Sequence, residues 1–225
     1  MNVVWPPEAA LVVDDRVVIG AAPQGWRPVA DVPLVVLVGL TGVGKTTLSA
    51  ALAAAGRVTI LPDRRRLTDD VILKDAGNSL DRSARFTATA RFRKAAPGGM
   101  GDILATMSVA PPDRVLLFDG LRGAAEVASF AAQSEKTLFL ALVASNTERA
   151  RRIASRGDDF DGAASGSEAR ARDLVEREAG HYSQEDTLAA LAEHAESRTI
   201  VIDAERLSAA GALAEAEAAL TAAFA

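Results

Sequence analysis

The sequence predicts an α/β protein in which helices cover both faces of a five-stranded parallel sheet. Five short apolar runs recur along the chain, and each is continuous rather than alternating, as strands buried on both faces require. Helical stretches separate most of these runs, which favours a doubly wound sheet. The length of 225 residues fits one such domain with additions.

The predicted elements follow one another in a regular order. The predicted strands are Leu34–Val38, Val58–Leu61, Val115–Asp119, Leu138–Ala144 and Thr199–Asp203. The predicted helices are Lys45–Ala55, Glu126–Ser134, Thr147–Ser155, Glu168–Glu178 and Ser183–Glu196, and an Ala-rich helix ends the chain.

Two regions depart from this alternation. Residues 1–32 form an N-terminal extension, and their "LVVDDRVVIG" predicts a β-hairpin packed on a sheet edge of the main domain, residues 33–225. Residues 62–112 are too long for a crossover loop, so we expect an insert with structure of its own. Within it "FTATARFRK", residues 86–94, partly alternates and leaves strand and helix both open.

Composition excludes several classes of site. The chain has no cysteine, which excludes disulfides, thiolate metal sites and a cysteine nucleophile. No run approaches the ~20 apolar residues of a membrane span, and the N-terminus lacks the basic region of a signal peptide, so we expect a cytoplasmic protein. A net charge of −5 disfavours general binding of nucleic acid.

The stretch "GLTGVGKT", Gly39–Thr46, matches G-x-x-x-x-G-K-[ST] between a predicted strand and a predicted helix. In this motif, the P-loop, backbone N–H groups and the helix N-terminus bind phosphates, the lysine reaches the β- and γ-phosphates, and the hydroxyl ligates Mg²⁺. We therefore predict that a nucleoside triphosphate binds here with Mg²⁺. The predicted nucleotide-binding residues here are Gly39, Thr41, Gly42, Val43, Gly44, Lys45, Thr46 and Thr47.

The stretch "VLLFDGLRG" supplies a second group at the end of a strand. Asp119 is placed to hold Mg²⁺ together with Thr46, directly or through water. Arg122 is suited to hold an anionic acceptor or the transferring group. The alternative is an ordinary Asp-Gly turn followed by a surface arginine.

The stretch "LPDRRRLTDD" follows the second strand, where ligands of parallel sheets bind. We expect Arg64, Arg65 and Arg66 to clamp an acceptor, with Asp63 as the base if the acceptor is a hydroxyl. The alternative is a solvated turn in which Thr68 or Asp69 caps a helix. Five further positive charges lie between residues 82 and 94, Arg85 among them, and fit an acceptor site, a solvated helix face or a nucleic-acid end.

Arginines also flank a glycine-rich segment further along the chain. Arg149, Arg152 and Arg156 have helical spacing and share one face, and "GDDFDGAASGS" follows them. Residues 156–172 are therefore predicted to form a lid that excludes water and brings positive charge to the triphosphate. The alternative is a surface loop between two amphipathic helices.

Taken together, "GLTGVGKTT", "FDGLRG" and "SRGDD" resemble the P-loop nucleotide kinases, such as adenylate kinase and dephospho-CoA kinase. The resemblance implies a P-loop NTPase three-layer sandwich, an acceptor-binding insert and a lid. It implies catalytic roles for Lys45, Asp119, Arg122 and Arg156 and a functional role for Thr46, with Arg152 and Arg172 as helpers. The loop after Asp203 is expected near the nucleotide base.

The implied reaction moves the γ-phosphoryl group of ATP to a small anionic acceptor, a nucleoside monophosphate or related nucleotide. The Asp-Gly segment is one residue shorter than in adenylate kinase and lacks its proline, which leaves the acceptor open. The alternative function is a P-loop ATPase with a regulatory or nucleic-acid-end-processing role. The [NT]-K-x-D motif of GTPases is absent from the sequence.

Overall fold

The computed structural model describes residues 5–7, 9–73, 82–155 and 168–225, with the backbone alone at residues 82–87, 90, 170, 173 and 177. In chain order its strands are β1 (Leu11–Val12), β2 (Val17–Ile19), β3 (Arg27–Pro28), β4 (Leu34–Val38), β5 (Val58–Ile60), β6 (Met107–Val109), β7 (Val115–Leu121), β8 (Thr137–Val143) and β9 (Thr199–Asp203). Its α-helices are α1 (Lys45–Ala54), α2 (Arg64–Leu67), α3 (Arg82–Ala95), α4 (Met100–Ala105), α5 (Ala124–Ala131), α6 (Asn146–Ser155), α7 (Glu168–Ala179), α8 (Gln184–Ala195) and α9 (Ala209–Ala223).

The main sheet pairs five strands in parallel, in the order β5-β7-β4-β8-β9. All five residues of β4 are buried because helices cover both faces of this central strand. The predicted parallel sheet is therefore confirmed. The carboxyl ends of β4, β5 and β7 meet at one edge, which is where parallel sheets bind their ligands.

The two faces of the sheet are covered by different elements. Val35 and Leu37 of β4 pack with α1 and α9, whereas Leu34 and Val36 pack with α4, α5 and α8. Successive side chains of a strand point to opposite faces, so one apolar run serves both layers. The three-layer sandwich is confirmed. Among the described helices, none has both the length and the apolar composition needed to cross a membrane.

The predicted N-terminal hairpin is confirmed, with Leu11 opposite Ile19. It does not extend the main sheet. Strand β2 pairs antiparallel with β6, the last strand of the predicted insert, and β3 pairs with the other side of β6. The N-terminal segment and the end of the insert thus form one four-stranded sheet, which no local sequence signal indicated. The domain boundary at residue 33 stays a prediction.

The insert between β5 and β6 is mainly helical. The segment 86–94, left open between strand and helix, belongs to α3. Phe92 on this helix is buried and meets the ring of Trp5 edge to face at 5.1 Å. A π-helix at Thr68–Ile72 continues α2, and residues 74–81 lie outside the described part.

Helices α6 and α7 pack on each other through Ala150, Ala171 and Val175. These residues form a small apolar cluster, separate from the two apolar clusters on the faces of the main sheet. The predicted lid at residues 156–172 lies mostly outside the described residues, which resume at residue 168. The lid therefore remains a prediction.

Candidate functional site

The P-loop joins β4 to α1 through three glycines with positive φ angles, +149° at Gly39, +88° at Gly42 and +106° at Gly44. A Cβ atom on Gly39 would lie 2.6 Å from the Leu142 carbonyl oxygen, and one on Gly42 would lie 2.9 Å from the Arg149 carbonyl oxygen. Both the conformation and the space therefore require glycine at these positions. This backbone is the kind that turns N–H groups inward around phosphate.

Lys45, the first residue of α1, folds back over the loop. Its Nζ donates hydrogen bonds to the carbonyl oxygens of Gly39 at 2.6 Å and Leu40 at 3.2 Å. Burial, with a contribution from the positive charge of Arg122, lowers the pKa of Lys45 to about 7. The protonated form of Lys45 is therefore disfavoured in this structure, and a bound anion would stabilise it.

Asp119 and Arg122 lie at the carboxyl end of β7, beside β4. Burial raises the pKa of Asp119, although the charge of Lys45 opposes this shift. Burial and the charge of Arg64 lower the pKa of Arg122. Since each charge perturbs the next, Lys45, Asp119, Arg122 and Arg64 form one electrostatic cluster, as sites built for chemistry often do.

A buried ion pair holds the backbone between Asp119 and Arg122. Arg64 donates to both carboxylate oxygens of Glu126 at 2.7 Å, to the Gly120 carbonyl oxygen at 2.7 Å and to the Tyr182 hydroxyl at 2.9 Å. Glu126 also accepts a hydrogen bond from the backbone N–H of Arg122 at 2.9 Å. Burial acts to raise the pKa of Glu126, but attraction and hydrogen bonds from Arg64 outweigh it and lower the pKa.

A second buried ion pair contacts the P-loop. Arg149 of α6 is fully buried and donates to the Thr41 carbonyl oxygen at 2.8 Å, to Asn146 at 2.8 Å and to the carboxylate of Glu178. Glu178 of α7 in turn accepts hydrogen bonds from Thr41. Burial lowers the pKa of Arg149, although Glu178 opposes this shift.

A cavity of about 290 Å³ opens beside the P-loop. It is lined by Gly44 and Thr47 on one side and by Ala204, Leu207 and Ser208, which follow β9, on the other. Arg152 borders it and donates to the carbonyl oxygens of Val43, at 3.2 Å, and of Ala204. The cavity continues from the phosphate-binding loop, and most of its lining is apolar.

No protein-family model and no curated protein matches this chain. Solved structures do resemble it. A Thermus thermophilus protein, TT1252, is 18% identical, with 85% of this chain and 97% of that chain covered and a TM-score of 0.54. A gluconokinase from Sinorhizobium meliloti 1021 is 18% identical, with coverages of 84% and 91% and a TM-score of 0.48. A deoxyadenosine kinase from M. mycoides is 12% identical, with coverages of 84% and 99% and a TM-score of 0.47.

The fold is that of the P-loop NTPases. The parallel sheet and the glycine-rich loop between β4 and α1 support this assignment, and TT1252 shares the fold of this chain. A gluconokinase and a deoxyadenosine kinase are among the similar structures. At identities of 18% or less, the similarity concerns the fold and not the substrate.

The arginines after β5 have three different fates. Arg64 pairs with Glu126 and also donates to the Gly120 carbonyl oxygen and the Tyr182 hydroxyl, so it braces this end of the sheet, and its role as an acceptor clamp stays a prediction. Arg66 joins the hairpin, with a hydrogen bond of 2.6 Å to the Val13 carbonyl oxygen and an ion pair of 3.6 Å with Asp14. Arg65 is exposed. The acceptor roles of Arg65 and Arg66 stay predictions.

The structure describes the positions of some of the remaining predicted residues and not of others. Asp63 caps α2 by accepting the Arg66 N–H at 2.7 Å, whereas the alternative interpretation placed a cap at Thr68 or Asp69. The helix begins earlier because Asp63, directly after the strand, supplies the capping oxygen. Thr46 and Thr47 are exposed at the start of α1. The Arg85 side chain and all of Arg156 lie outside the described part of the structure, so their roles remain predictions.

Sequence reasoning missed four residues that the structure brings to the site: Glu126, Arg149, Glu178 and Tyr182. Arg149 was placed on one basic helix face with Arg152 and Arg156, and the structure shows it buried, because Glu178 and the Thr41 carbonyl group satisfy its guanidinium. Glu126 and Glu178 each lie on a helix predicted correctly, but nothing local distinguishes them from surface glutamates. Their partners are distant in sequence, so no spacing rule finds them.

Proposed function

We propose that this protein is a phosphotransferase that moves the γ-phosphoryl group of ATP, with Mg²⁺, to a small anionic acceptor. The proposed acceptor is a nucleoside monophosphate or a related nucleotide. The observation that carries the proposal is Arg122. Arg122 is a cation beside Lys45 and follows β7, the strand next to the one that leads into the P-loop. The P-loop supplies its own groups for a triphosphate, so Arg122 is an additional positive charge. Such an arginine is suited to bind a second anion close to the γ-phosphate.

In this proposal the P-loop and its adjoining cavity would bind ATP. Lys45 and the loop N–H groups would hold the phosphates, and Arg152 would border them at the entrance of the cavity. The base would enter between Thr47 and the segment Ala204–Ser208, where most of the lining is apolar. The cytoplasm, where ATP and Mg²⁺ are both present, remains the predicted location.

The proposed metal site consists of Thr46 and Asp119. Among the described residues, no group of three or more His, Asp or Glu side chains could hold a metal ion. Mg²⁺ commonly needs only one or two protein carboxylates when phosphate oxygens and water complete its shell. Bound Mg²⁺ would neutralise charge on the phosphates and favour the ionised form of Asp119, whose pKa is raised by burial.

Arg122 would face the transferring group, and the brace formed by Arg64 and Glu126 would fix its backbone. Arg64 holds the Gly120 carbonyl oxygen and Glu126 holds the Arg122 N–H, so the brace sets the positions of both Asp119 and Arg122. Such pre-set geometry is the main source of rate enhancement in phosphoryl transfer.

The proposal is tested by a screen of acceptors with ATP and Mg²⁺. Nucleoside monophosphates, nucleosides and dephospho-CoA are supplied separately, and phosphorylated product is measured. Lys45→Ala serves as the inactive control. We expect transfer to one class of acceptor and slow hydrolysis without acceptor. Rapid hydrolysis of ATP without any acceptor, and no transfer, would contradict the proposal and favour the ATPase alternative.

A substitution at Asp63 distinguishes a hydroxyl acceptor from a phosphate acceptor. It lies near enough to raise the pKa of Asp119, so it belongs to the same end of the sheet. A hydroxyl acceptor needs a base, whereas a phosphate acceptor needs only positioning and charge neutralisation. For a hydroxyl acceptor, Asp63→Asn should lower kcat by roughly 10²-fold or more while KM stays near the wild-type value. Unchanged turnover would rule out Asp63 as the base.

A further inference from the structure

The carboxylate of Glu178 lies on the P-loop. Its two oxygens accept hydrogen bonds from the Thr41 N–H at 3.1 and 3.0 Å, and Oε1 also accepts the Thr41 hydroxyl at 2.8 Å. Loop N–H groups of this motif are the donors that bind phosphate oxygens. The Glu178 side chain from α7 therefore accepts a hydrogen bond from a loop N–H group of the kind that would bind a phosphate of the nucleotide.

Cations that suit a terminal phosphate surround the same carboxylate. Arg149 donates to Oε2, Arg122 approaches Oε1 at 3.4 Å, and the charge of Glu178 acts on Lys45. Glu178 itself is only 7% exposed as a side chain, so it is held away from water by these partners. In a P-loop the lysine contacts the β- and γ-phosphates, which places Glu178 towards the γ end of the site.

The arrangement leaves Arg122 incompletely paired. Among the described side chains, its Nε is a buried nitrogen with no hydrogen-bond partner, and its contact with Glu178 is long. Lys45 donates to loop carbonyl groups rather than to a carboxylate. A buried donor without a partner is costly, so an anion with more oxygens than a carboxylate would be favoured here.

We propose that Glu178 is an internal competitor of the nucleotide, which holds Thr41 and Arg122 in the free protein and leaves them when a triphosphate binds. Two like charges cannot share one set of donors at a few ångströms without strong repulsion. Glu178 therefore weakens triphosphate binding, and weakens it more than diphosphate binding because it lies towards the γ end. This inference rests on the proposed function in one respect, that a nucleoside triphosphate binds the P-loop.

The test is equilibrium binding, measured by calorimetry with Mg²⁺ and either adenylyl imidodiphosphate, a non-hydrolysable ATP analogue, or ADP. Glu178→Gln removes the charge and should bind the analogue at least about tenfold more tightly than wild type. ADP affinity should rise much less. The matched control is Glu176→Gln, which removes an exposed carboxylate from the same helix. It should show no comparable gain.

Glu178→Asp covers the case in which Glu178→Gln fails to fold because Arg149 loses its charged partner. It keeps a negative charge beside Arg149 but is one methylene shorter, so it should withdraw from Thr41 and give an intermediate gain in affinity. Circular dichroism and thermal unfolding establish the fold of each variant. If the folded variants bind the analogue no more tightly than wild type, Glu178 is a fixed brace and the inference is overturned. A wild-type protein that binds neither nucleotide would instead overturn the proposed function, and this inference with it.

Discussion

Replacing Arg64 with methionine separates the predicted clamp from the brace seen in the structure. Methionine keeps much of the side-chain volume and removes the charge. It would break the hydrogen bonds of Arg64 to Glu126, Gly120 and Tyr182. Glu126, whose side chain is 7% exposed, would keep the Arg122 N–H but lose its charged partner.

The loss of stability follows from this burial. Breaking a buried ion pair by removing one partner costs about 3–5 kcal/mol because the other charge stays buried and unpaired. For a domain of this size, each kcal/mol shifts the unfolding midpoint by about 2–4 °C. Arg64→Met should therefore lower the Tm by roughly 6–20 °C. A free acceptor clamp would instead raise the acceptor KM and leave the Tm nearly unchanged.

The assay is thermal and urea unfolding of Arg64→Met, with Arg65→Met as the matched control. Arg65 is the next residue of the same helix and is exposed, so its loss should change stability by no more than about 0.5 kcal/mol. Glu126→Gln and the double variant complete a double-mutant cycle, in which the second substitution should cost much less than the first. Equal Tm values for Arg64→Met and Arg65→Met would refute the reasoning.

Two further predictions concern the P-loop. Because the pKa of Lys45 is lowered to about 7 and a bound anion favours its protonated form, nucleotide binding should take up a proton and affinity should fall as pH rises above about 7. At pH 8 the uptake should be most of one proton, since free Lys45 with a pKa of about 7 is largely deprotonated there. Calorimetry in buffers of different ionisation enthalpy measures it, Lys45→Arg should abolish it, and zero uptake by the wild type would contradict the lowered pKa. Gly42→Ala should lose about 1–3 kcal/mol of stability and bind nucleotide weakly, because its Cβ would lie 2.9 Å from the Arg149 carbonyl oxygen. Gly25→Ala is the control, since Gly25 has a similar φ of +85° with nothing within 4 Å, and an equal loss there would show that backbone strain alone is responsible.

The features that sequence predicted well are local. The five strands were found because their apolar runs are continuous, and helices such as α1 because a loop or cap residue begins them. The P-loop depends on three glycines and a lysine within eight residues, so its conformation is encoded where it occurs. Asp119 was placed at the end of its strand for the same reason, although β7 continues to Leu121.

The features that sequence missed involve distant pairs. The β-hairpin was predicted, but its pairing with β6 was not, because an antiparallel partner about 90 residues away leaves no local signal. The cap at Asp63 was missed for a different reason. Its carboxylate was considered as a base for the acceptor, whereas the structure shows that it satisfies a helix N-terminus.

By itself, the sequence determined that a phosphate-binding loop follows a buried parallel strand, and that carboxylates and arginines gather at the same end of the sheet. Only the tertiary structure decided which charges pair. Arg64 and Glu126 are 62 positions apart, and Thr41 and Glu178 are 137 apart. Periodicity shows which side of a helix is apolar, but an arginine or glutamate is buried only where the fold brings it an opposite charge. Those partners become neighbours only when the strands take their order in the sheet.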